Sequence, residues 1–441
     1  MVPAVCSGAT SACFHLGDQS NLVLRPPALT RFHYQLDRQA WRMLAVHSAY
    51  TAANLFAATF LSIFIWRAHH DLGQVCLFNA VYALGVPIAF LANGWLFRRG
   101  DAGTSIRRGL LTLTVLYVLV LFLGNASAGA LLLLGLMRGL GEGWYWAGYH
   151  LVTYDAIARG NRDRYFGATG ASGAFLGVAV PPLAGTIIVL GTHWGGPYGG
   201  YQVTFGVAAA TLLAAALLAG GLHAGRRQGF SLRGMFRLPH RNPAWSYVTW
   251  ARLADGSTGF VLGMVVSILT FVTLRNEQNV GGFNALVGLL TVGLSLGLGI
   301  WLPARHRMRC ALLGGSLLVA STLVYPLYLS VGALVLFGLL RALGGPLHGN
   351  ALAPLWLQVI DRDPQAQELR YEYIVSQELT LGIGRVLSVL AVMALAAPIN
   401  QLTLARVALV VAGAAPILIW AAFARIGAPV AVAARPLQVA A

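Results

Sequence analysis

The chain has 441 residues, 57% of them hydrophobic and only 10% charged, with a mean hydropathy of +0.68. A soluble domain carries about 25% charged residues, so this composition excludes one and places the chain in lipid. The net charge of +16 comes from arginine alone, since the sequence holds no lysine, and its clustering (below) excludes a nucleic-acid footprint.

Residues 1–41 read as a cytoplasmic N-terminal tail, with Pro26-Pro27 and an amphipathic piece from Tyr34 to Trp41. They lack the continuous apolar core of a cleavable signal peptide. Apolar runs follow at 43–66, 75–97, 107–124, 129–153, 165–190 and 198–222. A polar segment interrupts them, and six more runs come at 245–274, 281–302, 309–329, 331–359, 371–397 and 402–424. A helix of about 20 apolar residues crosses the hydrocarbon core and satisfies its own backbone there. The expected fold is therefore an all-α membrane protein of twelve transmembrane helices in two pseudo-symmetric six-helix bundles. These bundles span 42–222 and 245–425, with a cytoplasmic middle loop at 223–244 and a cytoplasmic C-terminal tail at 426–441.

Orientation follows from arginine placement. The cytoplasmic segments, counted with the helix ends that flank them, hold 23 of the 30 arginines, the opposite loops hold Arg67 and Arg275, and five lie deeper within spans. By the positive-inside rule both termini face the cytoplasm, as in a multi-pass protein of the cell (inner) membrane. Cys6, Cys13, Cys76 and Cys310 show no metal-ligand spacing and no disulfide framework. No enzyme motif, phosphate loop or cofactor signature is present, so no cofactor is expected and a gradient must supply the work.

The two halves echo one another. Ser62-Ile63 and Phe78-Asn79-Ala80 recur as Ser267-Ile268 and Phe283-Asn284-Ala285, both at an offset of 205. Arg138 recurs as Arg341 at 203. Parallel repeats of six helices characterise one large transporter architecture.

Twelve helices, paired halves, a long middle loop and cytoplasmic termini resemble the major facilitator superfamily over residues 42–425. That family carries a G-x-L-x-D-R-x-G-R-R signature between its second and third helices. Here Gly94, Leu96, Arg99, Gly100, Arg107 and Arg108 are similar, while Arg98 stands at the aspartate and Asp101 comes late. In the fourth helix many members show R-x-x-x-G-x-G-E-G, which Arg138 and Gly141-Glu142-Gly143 resemble with the arginine nearer the glutamate. The resemblance implies alternating access around a central site, a small-molecule substrate, a proton or other coupling ion, and a monomer in the lipid bilayer. Gly167, Gly170, Gly173 and Gly177 before Pro181-Pro182 loosely resemble the fifth helix of the family's antiporters. Small residues at such spacing predict close helix approach.

Ionisable residues at membrane depth usually mark a pathway. Arg138 and Glu142, at i and i+4, share a helix face and can pair. Glu142 is the first proton-coupling candidate; the bland alternative is a self-neutralising ion pair that only fixes packing. Asp255, three residues after Arg252, and Glu378 are further proton-coupling candidates, or else gate and packing groups at the cytoplasmic rim. Arg138, Arg341 and Arg385 lie near mid-depth against one equally deep acid, which predicts a positive cavity and an anionic substrate. The alternative is that Arg341 and Arg385 bond backbone near Gly344-Gly345-Pro346. Tyr145 and Tyr149 share the face of Glu142 and suit an amphipathic ligand. Asn54 adds a polar group, although asparagine in such helices more often joins helices than binds substrate. The expected function is thus proton-coupled transport of a small anionic or amphipathic organic solute. The alternatives are a proton-driven exporter of hydrophobic drugs or lipids, and a non-transporting receptor or assembly factor on a transporter scaffold.

Overall fold

The computed structural model describes residues 36–97, 101–122, 128–155, 162–222, 230–301, 306–366, 368–396 and 399–426. Residues 1–35 of the N-terminal tail, Arg98 to Gly100 of the loop motif and residues 427–441 fall outside them, while helix already begins at Arg38, inside the segment read as tail. The described residues are helical, without strands. In chain order the helices are α1 (Arg38–His69), α2 (Leu72–Leu96), α3 (Ala102–Phe122), α4 (Ala128–Asp155), α5 (Arg162–Gly195) and α6 (Gly199–Ala219). A short α7 (Leu232–Arg241) precedes α8 (Ala244–Leu274), α9 (Glu277–Trp301), α10 (Arg307–Tyr328), α11 (Val331–Asp361) and α12 (Arg370–Ala394). The last helices among the described residues are α13 (Gln401–Ala412) and α14 (Ala415–Ala424), which together occupy the twelfth apolar run. Among the described residues, nine segments are long and apolar enough to cross a membrane.

Local chemistry explains where these helices start and stop. Asp37 accepts from the N–H of Ala40 at 2.7 Å, and Asp71 from that of Gly73 at 2.8 Å, each satisfying an orphan donor of a first turn. The tight α1–α2 reversal places His70 at φ 50°, with its N–H on the Trp66 carbonyl. The α8–α9 reversal repeats this 205 residues later. Arg275 sits at φ 56° with its N–H on the Phe271 carbonyl, and Asn276 then accepts from Gln278 N at 2.8 Å. The sequence repeat is therefore also a repeat of backbone conformation. Helix pairing repeats too: α2 and α3 pack on α4 as α9 and α10 pack on α11.

The two series of helices meet along α2–α12, α5–α9 and α1–α8. At the end of the bundle where α1 finishes and α9 begins (the far end), Arg67 and Glu277 form an ion pair at 2.5 Å. Tyr201 of α6 donates to the same carboxylate at 2.9 Å. At the opposite, near end, the Tyr371 hydroxyl of α12 donates to the Phe90 carbonyl of α2 at 2.8 Å. The segment read as a polar middle loop contains α7, whose Met235 and Leu238 are buried while Arg233 and Arg237 stay exposed. The loop is tied down by its flanks. Ser231 N donates to Glu372 at 3.0 Å, and Asn242 Nδ2 to the Val359 carbonyl at 2.7 Å.

Close helix approach is made elsewhere than expected. A Cβ at Gly139 of α4 would stand 2.7 Å from Gly85 Cα of α2, and one at Gly85 2.8 Å from Gly139 Cα. A Cβ at Gly167, Gly170, Gly173 or Gly177 would meet nothing within 4 Å. The glycine spacing on α5 thus does not mark a seam that needs glycine, because a side chain at these four positions has open space even though α9 approaches the Gly177 carbonyl. Gly139→Val should therefore lower thermal stability of the purified protein by about 1–3 kcal/mol through overpacking. Gly170→Ala should instead be neutral or stabilising by up to about 1 kcal/mol. Melting curves that rank the two the other way would contradict this packing.

Candidate functional site

Polar and aromatic side chains of two helices of the first half, α1 and α4, meet one another. Glu142 is buried, 6% exposed, and Arg138 one turn away is equally so. Between them, however, there is no ion pair. The Glu142 carboxylate instead accepts from the Tyr50 hydroxyl of α1, and from Trp146 Nε1 at 3.1 Å. The Arg138 guanidinium lies 4.6 Å over the ring of Tyr82 on α2 and 5.9 Å from Phe78, with its Nε unpartnered. The expected i,i+4 pair is thus replaced by two separate partnerships. Sharing a helix face permits contact, but the neighbouring helix decides which partner each group takes.

Tyr50 and Tyr145 stack at 3.6 Å, and His47 bonds the Tyr145 hydroxyl at 2.7 Å. His47 also stacks on Tyr149 at 4.4 Å. Tyr145 and Tyr149, read from sequence as cavity residues, are buried inside this stack, and Tyr145 is 0% exposed. His47 and Tyr50 were missed by the sequence reading. Their signal was available: His47, Tyr50 and Asn54 recur at helical spacing on one face of the first apolar run. Asn54 itself is half-buried and holds no hydrogen bond among the described residues.

The halves meet at a ring pair. Tyr82 of α2 and Phe260 of α8 have centroids 5.2 Å apart, and the Arg385 guanidinium of α12 stands 5.8 Å over Phe260. The charges of Glu142, Arg138, Arg385 and Glu378 all act on Tyr82. Two cations and two carboxylates therefore lie within electrostatic reach of Tyr82. Arg341 does not join them. It is half-buried and lies 5.5 Å over Phe337 of its own helix, on α11, which packs on α9 and α10. The expectation of three arginines against one acid is corrected to a balanced set, because Glu378 reaches the same place and Arg341 does not.

Asp255 pairs with Arg252 at 3.2 Å, and its side chain is 46% exposed. Their charges act in turn on Glu378. No group of metal-ligating side chains occurs among the described residues.

The Major Facilitator Superfamily model matches residues 42–368. An uncharacterized Bacillus subtilis (strain 168) protein, YqgE, is 25% identical over 360 residues, covering 81% of this chain and 83% of its own length. Among solved structures, the nucleoside transporter NupG is similar with a TM-score of 0.68 at 9% identity, covering 88% of this chain and 99% of that one. A bacterial homologue of the iron transporter ferroportin in an inward-facing state has a TM-score of 0.63 at 14% identity, over 88% and 98% of the two chains. At such identities the likeness is one of fold.

The far-end pair gives the prediction here. Arg67→Glu and Glu277→Arg should each lower the melting temperature, and the double reversal should recover most of the loss. A coupling of about 0.5 kcal/mol or more in that double-mutant cycle is expected for partners in direct contact. Strictly additive losses would mean that the pair does not hold the halves together.

Proposed function

Because the chain belongs to the Major Facilitator Superfamily, we propose that it is a secondary active transporter working by alternating access and moving a small organic solute with an apolar body and an anionic group. Its halves, 42–222 and 245–425, rock about the Tyr82–Phe260 contact. On this reading α1–α6, α8–α12 and the α13–α14 pair are the twelve spans. The near end faces the cytoplasm, as the arginine distribution requires. A monomer in the cell membrane is sufficient, since both halves lie in one chain.

The observation that carries the reading is the aromatic bridge with Arg138 on one half and Arg385 on the other. A solute entering between the halves exchanges ring faces for its own charge. A guanidinium pairs better with a carboxylate or phosphate than with a ring, because the charge-assisted pair adds directed hydrogen bonds. The flanking rings accept the apolar body. Glu142 serves as the proton carrier: it is buried, and Tyr50 and Trp146 supply only neutral donors to it. Its charge is therefore uncompensated at contact distance, and taking up a proton relieves that. Glu378 and Asp255 complete the charge balance on the second half. Asn54 and Arg341 remain substrate contacts only if rocking brings them to the bridge.

A second reading, export of hydrophobic compounds, draws on the ring stack of His47, Tyr50, Tyr145 and Tyr149. Thermal-shift screening of the purified chain separates the two. Acidic amphipathic metabolites should stabilise wild type and lose that effect in Arg138→Ala and Arg385→Ala. Stabilisation by neutral hydrophobes, undiminished in both variants, would favour export. Glu142→Gln should abolish proton-driven uptake of such a compound into proteoliposomes while leaving solute exchange in part. Proton-driven uptake at the wild-type rate in that variant would remove Glu142 from the mechanism.

A further inference from the structure

A cavity of about 180 Å³ lies apart from the aromatic bridge, among α8, α11 and α14, and Arg252, Asp255, His348 and Trp356 contribute to its wall. His348 is only 8% exposed. Its Nδ1 lies 2.9 Å from the Ala311 carbonyl of α10. A carbonyl only accepts, so Nδ1 carries the proton and the lone pair of the neutral ring sits on Nε2. That Nε2 is buried and has no partner. A buried imidazole nitrogen without a bond, on a residue that lines a cavity together with an arginine and a carboxylate, is an open acceptor, and such groups call for an explanation.

We propose that His348 is a second protonation centre of this transporter, taking a proton at Nε2 from water in the cavity and drawing Asp255 off Arg252. The hydronium gives up one proton and leaves water, and the ring gains one positive charge. Where the lone pair stood there is now a donor, and Asp255 is the carboxylate that lines the same cavity. In the neutral state Asp255 is held by Arg252 at 3.2 Å, and the Arg252 guanidinium lies 5.4 Å over the Trp356 ring. Protonated His348 competes for that carboxylate and leaves Arg252 to Trp356 and to Glu378, on which its charge acts. The groups facing the imidazole are few. From α8 come Arg252 and Asp255, from α10 the Ala311 carbonyl, and from α14 only the apolar Ile419 and Phe423. Glu142 lies on α4 in the other half, so this proposal stands independently of the coupling role given to that carboxylate.

Two measurements on the full chain in detergent test it. In [15N]histidine-labelled protein, the Nε2 resonance that disappears in His348→Asn should move between about pH 5 and about pH 8. Asparagine places its amide nitrogen near the Nδ1 position and keeps a donor for Ala311, while removing Nε2. The part of the tryptophan fluorescence that is lost in Trp356→Phe should change over the same pH range in wild type and be constant in His348→Asn. An Nε2 resonance that stays fixed across the range would overturn the proposal. So would a Trp356 signal that still follows pH in His348→Asn. Should that variant fail to fold, the same test runs on His348→Gln, and a Trp356 signal constant with pH in wild type is equally fatal.

Discussion

Everything at the centre of this molecule depends on how two guanidinium groups, one buried at Arg138 and one half-buried at Arg385, are accommodated between the halves. Arg138 and Arg385 each rest on the face of an aromatic ring, and those two rings touch across the boundary between the halves. A desolvated cation over a ring gains about 2 kcal/mol, well short of the several kcal/mol that burying the charge costs. The carboxylates of Glu142 and Glu378, within electrostatic reach of Tyr82, offset part of the remainder. Such an arrangement is satisfied but not saturated: the ring faces offer no directed bonds, and Arg138 Nε has no partner at all. A ligand able to provide directed bonds has something to gain there, which a fully bonded ion pair would not allow.

The contacts between the halves differ in kind along the bundle. The far end is held by an ion pair reinforced by a tyrosine hydroxyl, Arg67, Glu277 and Tyr201. The near end is held by a hydroxyl on a backbone carbonyl, Tyr371 on Phe90, and by rings packed edge to face. Between them lies the Tyr82–Phe260 contact, which is aromatic and undirected. Directed polar bonds at the ends and a slippery contact in the middle suit two rigid bodies that pivot, since ring faces tolerate rotation while hydrogen bonds break over a short distance. The close glycine crossing of α2 on α4 packs the first half tightly.

The internal repeat is visible at three levels. Short sequence matches recur at one offset, the same left-handed residue followed by a capping side chain recurs at His70-Asp71 and Arg275-Asn276, and the same helices pair. The charged groups within the spans do not follow this symmetry. Arg341 stands where Arg138 stands in the first half but has no acid one turn on, and it turns to Phe337 instead of to the shared bridge. The second half supplies its cation to the bridge from α12, at Arg385. A duplicated scaffold thus carries an unduplicated site, and the His348 cavity belongs to the second half alone.

By itself the amino-acid sequence determined that the chain lives in lipid, the positions of its apolar runs, the repeat between halves and the superfamily. These are readable because hydrophobic length, arginine placement and offset matches are properties of a one-dimensional string. It also singled out Arg138, Glu142 and Arg385, because a charge inside an apolar run is conspicuous. Only the tertiary structure decided what each of them touches. Glu142 turned to Tyr50 on α1, Arg138 to Tyr82 on α2, and Arg341 away from both. The α5 glycines, spaced as a packing seam, have open space where a Cβ would stand, while Gly85 and Gly139 made the close crossing. Spacing along one helix fixes which residues share a face, but the neighbour on that face comes from a distant part of the chain, and no local periodicity encodes it.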